Sequence, residues 1–249
     1  MSDTTMTEQP TQTETETEQP PLKTIIFALP GDRFSGKFLM SWTNTINQLY
    51  NKYKIVITNN YSSFVPFSRM KCLGLDNLRG EDQKPFDGKI DYDVWVTIDS
   101  DMVFSAEQVI ELIESTETHP IVSGVYMMQD VKHLCVVKEW DKAHFLEKGY
   151  FPYVTGAEFE EWKKENKSDK FMKVAYSGMG FFAVRKGVLE KLKYPYFHRD
   201  CEIMTKEDGT IVRDVCSEDV SLCRNLTDAG FDIMLNANLR VGHEKPLVV

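Results

Sequence analysis

The chain alternates between short apolar runs with β-branched residues and longer stretches where apolar side chains recur every three or four positions. Lys23-Thr24-Ile25-Ile26-Phe27-Ala28-Leu29 has the first character and predicts a strand. After Pro30-Gly31-Asp32-Arg33-Phe34-Ser35-Gly36, a turn rich in breakers, Phe38, Trp42, Ile46, Leu49 and Tyr53 recur at helical spacing. Lys54 to Thr58 predicts a second strand, ended by Asn59-Asn60, and Val94 to Ile98 a third. A capping box, Ser105 to Gln108, precedes a helix with Val109, Ile110, Leu112 and Ile113 on its apolar side. Further strands are predicted at 121–126, 133–138, 181–184 and 231–235, with helices near 158–164, 186–192 and 217–229. Asp208-Gly209 between two apolar runs predicts a hairpin. Strands alternating with helices give an α/β fold with a mostly parallel central sheet. Residues 140–170 read as an aromatic-rich insertion, the most mobile part of the domain.

Candidate chemistry gathers where apolar runs end. Val94-Trp95-Val96-Thr97-Ile98 runs straight into Asp99-Ser100-Asp101. An α/β protein places its ligand at such a strand end. Two carboxylates there suit a divalent cation and the polyphosphate that accompanies it. A second Asp-x-Asp, Asp91 to Asp93, precedes the strand and fits a solvated turn. Tyr176-Ser177-Gly178-Met179-Gly180 leads into another apolar strand, its glycines allowing close backbone approach. Ser217-Glu218-Asp219 opens a helix, as an N-cap with first-turn acids does. Gly242-His243 follows the last apolar segment, and Arg69 could pair with a phosphate or a strand-end aspartate.

Composition narrows the classes. The 249 residues suit one sizeable domain, 22–249, behind a Thr-, Glu-, Gln- and Pro-rich segment, 1–21, that is expected to be disordered. The formal charge is −9, and residues 1–20 hold five acids without Lys or Arg, which leaves the remainder near −4. That balance argues against a general nucleic-acid-binding face. Five cysteines without a C-x-x-C read as reduced thiols. No apolar run has the length of a membrane span, and no secretory signal is visible, so a cytoplasmic location is expected. Gly31 and Gly36 have P-loop spacing, but Phe38 stands where Ser or Thr would bind magnesium, which disfavours an NTPase.

The order strand-Asp99-x-Asp101, Ser177 to Gly180, Glu218-Asp219, Gly242-His243 resembles the GT-A glycosyltransferases, over roughly residues 23–245. The resemblance implies a single GT-A-like, Rossmann-like domain that uses a nucleotide-sugar donor. It places Asp101 on the metal, with Asp99 nearer the ribose or the metal's waters. His243 would be a further metal ligand, and Ser177, Gly178, Met179 and Gly180 the loop beside sugar and acceptor. Glu218 and Asp219 would match the x-E-D segment, with Asp219 as catalytic base, and Pro30 and Gly31 would lie against the nucleotide base, with Ser100 and Arg69 in the donor site.

The chemistry is self-consistent. Transfer from a nucleoside diphosphate sugar leaves charge on the departing diphosphate, which a divalent ion stabilises. Oxygen ligands suit Mg²⁺, and an added imidazole favours Mn²⁺. A carboxylate can take the acceptor proton, although a helix N-terminus weakens Asp219 as a base unless burial or Glu218 compensates. The expected reaction is metal-dependent transfer to an acceptor hydroxyl, inverting rather than retaining. The acceptor, whether a glycan, a protein, a lipid or a modified nucleobase, is left open. The alternatives are a nucleotidyltransferase acting on a sugar phosphate and a non-catalytic nucleotide-sugar-binding protein.

Overall fold

A computed structural model describes residues 21–198 and 201–245. The segment expected to be disordered therefore lies outside the described residues, apart from Pro21. In chain order the elements are β1 (Thr24–Pro30), α1 (Gly36–Leu49), β2 (Lys54–Asn60), α2 (Val65–Cys72), β3 (Val94–Ile98), β4 (Met102–Val103), α3 (Ala106–Ser115), β5 (Ile121–Val125) and β6 (His133–Val137). Then come α4 (Lys142–Lys148), β7 (Tyr153–Thr155), α5 (Gly156–Glu165), β8 (Phe171–Val174), β9 (Tyr176–Ser177) and β10 (Phe181–Arg185). The chain closes with β11 (Cys201–Thr205), β12 (Ile211–Val215), α6 (Glu218–Asp228), β13 (Ile233–Arg240) and β14 (Gly242–His243).

Seven strands form the central sheet in the order β2-β1-β3-β10-β5-β13-β8. β1 runs parallel to β2 and β3, and β5 parallel to β13, whereas β10 and β8 run against their neighbours. The sheet is thus mixed, with five of its seven strands in one direction. Its middle is dry on both faces: every residue of β3 and of β5 is buried. Such strands read as continuous apolar runs because each face has a cover. Along β1, Ile25, Phe27 and Leu29 pack with α1 and α3, while Ile26 and Ala28 turn to the layer that holds Met70 of α2 and Leu222 of α6. The fold is a three-layer α/β domain.

Several boundaries differ from the sequence expectation, each for a local reason. The helix expected over 186–192 shrinks to one 3₁₀ turn, Leu189–Lys191, because Gly187 takes a φ of +91°. β13 extends to Arg240, where 231–235 was expected, because it pairs with β8 on one side and β5 on the other. The 140–170 insertion is anchored, not loose: Phe145, Val154 and Phe159 are buried. The hairpin forms as read, β11 with β12, with Gly209 at φ +84°. The described cysteines Cys72, Cys135, Cys216 and Cys223 form no disulfide.

Candidate functional site

The C-terminal end of β3 is the meeting point. The buried strand delivers Asp99 to the sheet edge, and the Asp99 N–H donates to the Gly180 carbonyl at 3.0 Å. Three residues on, β4 pairs antiparallel with β14, with His243 opposite Met102 and Gly242 opposite Val103. The Glu244 N–H extends this ladder to the Asp101 carbonyl at 2.7 Å. A short ribbon near the end of the described chain therefore pins His243 beside the aspartates. Its Nε2 lies 3.2 Å from Asp101 Oδ2.

The imidazole is oriented from behind. His243 Nδ1 is 2.8 Å from the Met127 carbonyl, which can only accept, so Nδ1 carries a proton and Nε2 faces Asp101. Tyr126 packs edge-on against the ring, centroids 5.1 Å apart. Lys245 places its Nζ 2.6 Å from the same Asp101 oxygen. Burial alone would raise the Asp101 carboxyl, but the bonds from His243 and Lys245 outweigh it and hold it down at about 2. Burial likewise works to lower His243, and the partnership with Asp101 and Met127 reverses that, leaving the imidazole above its ordinary value.

A second set of contacts joins the motifs. Arg69, on α2, is only 6% exposed, which excludes a solvated helix charge. Its two terminal nitrogens grip Asp99 in a fork, at 3.0 and 3.2 Å, and its Nε reaches Glu218 at 3.3 Å. One guanidinium thus ties the strand-end aspartate to the first turn of α6. Burial opposes its charge, yet Asp99, Glu218 and Asp219 together raise its pKa further above the arginine range. Replacing Arg69 by Met would strand two carboxylates in a largely desolvated place. The expected cost is roughly 3 kcal/mol, read by urea unfolding. A loss under about 1 kcal/mol would instead mark the bridge as an ordinary surface pair.

Asp219 is held by three donors. The Tyr176 hydroxyl donates to Oδ2 at 2.7 Å, the Val220 N–H to Oδ1 at 2.9 Å, and the Ser217 hydroxyl also donates to Oδ1. Ser217 occupies the N-cap position of α6, but its side chain makes no capping bond and serves the carboxylate instead. Burial, then the charge of Asp219, pushes the Tyr176 phenol well above its ordinary value, so it remains a donor.

The glycine loop has a different geometry from a bare ligand platform. All of Ser177 to Gly180 is buried. Ser177 Oγ hydrogen-bonds Ser123 Oγ at 2.6 Å, and Met179 lies in the core. The glycines make room for Tyr126: a Cβ at Gly178 would sit 2.3 Å from its Oη, and one at Gly180 would sit 3.1 Å from it. The Gly180 N–H donates to that Oη at 3.0 Å. Gly31, after β1, has a φ of +139°, and a Cβ there would press on Ser100 at 3.3 Å. Gly31 therefore lies against the middle residue of the Asp99 to Asp101 turn, with Pro30 just before it at the end of β1.

The structure brings together Asp99, Ser100, Asp101, His243, Arg69, Glu218, Pro30 and Gly31, with Asp219 beside Glu218. It turns the Ser177 and Met179 side chains inward. Tyr126, Tyr176, Met127 and Lys245 were not legible beforehand, since no local pattern marks a tyrosine at the end of a core strand as a tether. Among the described residues no cluster of three or more His, Cys, Asp or Glu side chains stands ready for a metal. Asp101 Oδ2 and His243 Nε2 nonetheless make a fitting pair of donors. A small divalent ion takes one or two protein ligands and completes its shell with phosphate oxygens and water. The Lys245 ammonium already shows that this carboxylate oxygen attracts a cation.

Neither the protein-family models nor the curated proteins contain a match to the sequence. In chain path the molecule is similar to the crystal structure of A197 from STIV, at 16% identity over 92% of this chain and 97% of that one, TM-score 0.47. It is also similar to glucosyl-3-phosphoglycerate synthase from Mycobacterium tuberculosis in complex with Mn²⁺, uridine diphosphate and phosphoglyceric acid, at 13% identity over 93% and 78% of the two chains, TM-score 0.42. The same enzyme with Mg²⁺ and uridine diphosphate gives 12% identity over 90% and 73%, TM-score 0.42. What the site does rests on its side chains. Among the described residues no helix is long and apolar enough to cross a membrane.

Proposed function

We propose that the chain is a metal-dependent glycosyltransferase, moving a sugar from a nucleoside diphosphate sugar to an acceptor hydroxyl with inversion. The observation that carries the reading is the convergence of Asp101 and His243, at 3.2 Å, across 142 positions of sequence. Asp101 and His243 would hold the ion, Mn²⁺ in preference to Mg²⁺ because one donor is an imidazole. When bound, the ion stabilises the charge that develops on the leaving diphosphate.

The chain's own residues supply the rest. The Arg69 fork fixes Asp99 for the ribose or for water around the ion. Glu218, engaged with Arg69, serves as a positioning residue and not as the base. Pro30, Gly31 and Ser100 border the place of the nucleotide base. Asp219 is the base: a carboxylate offers about four acceptor positions, and three are filled by Tyr176, Ser217 and Val220. The fourth is left for the acceptor hydroxyl. As that oxygen bonds to the anomeric carbon, its proton passes to Asp219 and the electron pair of the breaking C–O bond leaves with the diphosphate.

A thermal-shift screen of nucleotide sugars with and without Mn²⁺ tests this. A donor at about a hundred times its Kd stabilises the native state by roughly 2.7 kcal/mol, about 5–10 °C for a chain of this size. The expected shift needs the metal. No shift with any nucleotide sugar would remove the reading. A metal-independent shift would favour a binding protein without turnover, and pyrophosphate release from a nucleoside triphosphate and a sugar phosphate would favour a nucleotidyltransferase.

A further inference from the structure

Beside Asp219 lies a cavity of about 210 Å³ whose walls come from β6, the α4–β7 segment, β12 and the start of α6. Its lining is aromatic: Trp140, Phe151, Tyr153 and Tyr176 are among the side chains. The rings brace one another, Trp140 edge-on to Phe151 at 4.9 Å and Tyr153 edge-on to Tyr176 at 6.3 Å. Tyr176 is shared with the site, for its hydroxyl holds Asp219 at 2.7 Å. Asp214, Ser217 and Tyr150 also belong to the lining, and all three are exposed, which puts a carboxylate and two hydroxyls at its rim. Among the described residues that line the cavity, none is Lys or Arg. Arg224 sits over the Trp140 ring at 4.8 Å and bonds the Cys216 sulfur at 3.3 Å from behind the lining, and its charge is already paired with Glu202 at 2.5 Å.

We infer that this cavity takes the acceptor, and that the acceptor group is a neutral sugar ring at the end of a glycan. The inference rests on the proposed transferase reading and narrows it. Aromatic faces carry partial negative charge and accept the C–H side of a sugar ring. The carboxylate and hydroxyls at the rim can orient ring hydroxyls. A phosphorylated acceptor or a nucleic acid needs cations that this lining lacks and would meet Asp214 instead. The volume is below the ~300–1,000 Å³ of sites for drug-sized ligands, which suits a single ring entering from a longer chain.

Saturation-transfer NMR and calorimetry on the full chain would test it, with methyl glycosides of glucose, galactose, mannose and N-acetylglucosamine as probes. Phosphoglyceric acid and a short DNA duplex are the opposing probes. At least one neutral glycoside is expected to bind saturably. Asp214→Lys and Tyr150→Ala, both exposed changes at the rim, are each expected to weaken it about tenfold, the loss of one charge-assisted or packing contact. Retained melting temperatures would show that both variants fold. Binding of only the phosphorylated or nucleic-acid probe, no glycoside binding, or glycoside binding untouched by both substitutions would overturn the inference. A metal-dependent nucleotide-sugar shift that persists alongside such a result would leave the donor reading standing and discard the acceptor alone.

Discussion

Asp101→Ala is expected to abolish sugar transfer and donor hydrolysis, by at least about 10³-fold in kcat/KM. Asp101 Oδ2 is the atom on which His243 and Lys245 converge, at 3.2 and 2.6 Å. Its removal leaves one imidazole, too little to hold a divalent ion under a diphosphate. The variant should also lose the Mn²⁺-dependent part of the nucleotide-sugar thermal shift. Its fold should survive, because the Asp101 side chain is about one-third exposed and core strand β3 ends before it. Steady-state rates with the donor found in the screen provide the measurement. Turnover within tenfold of the unmodified chain would count decisively against a metal at this carboxylate.

Asp219→Asn separates binding from chemistry. The amide has the carboxylate's shape and keeps an oxygen for the Val220 N–H and the Ser217 hydroxyl, but cannot take up a proton at neutral pH. Donor binding should be unchanged, while transfer falls by about 10²–10⁴, the usual contribution of a general base. With the amide oxygen in the Oδ1 place, the Val220 N–H and the Ser217 hydroxyl keep their acceptor, and the new NH2 faces Tyr176, whose hydroxyl can turn to accept from it. A parallel fall in donor affinity would show that Asp219 contacts the donor and is not the base. Comparing Glu218→Gln completes the test: acting through Arg69, it should lower the melting temperature as well as the rate.

The local chemistry of the chain was legible where short-range rules decide it. The capping box at Ser105 forms with both of its bonds, to and from Gln108. The hairpin around Asp208-Gly209 forms because a left-handed glycine closes a tight turn. β3 could be read because a strand covered on both faces must be apolar throughout. The reading failed where a long-range partner overrode the local one. Ser217 looks like an N-cap, yet the Asp219 carboxylate captures its hydroxyl. Ser177 to Gly180 looks like a ligand platform, yet its glycines are required by the phenol of Tyr126.

Side-chain period, turn preferences and charge act over a few neighbouring positions, and they suffice for the α/β alternation, the core strands and the residue types available for chemistry. Which of those residues meet depends on the folded chain. His243 reaches Asp101 through a two-residue ribbon whose partner strand lies far away in the chain. Arg69 is a buried clamp and not a solvated charge because two carboxylates from other elements close over it. Pairings of that kind depend on where strands stack in the sheet, a property that no window of sequence contains.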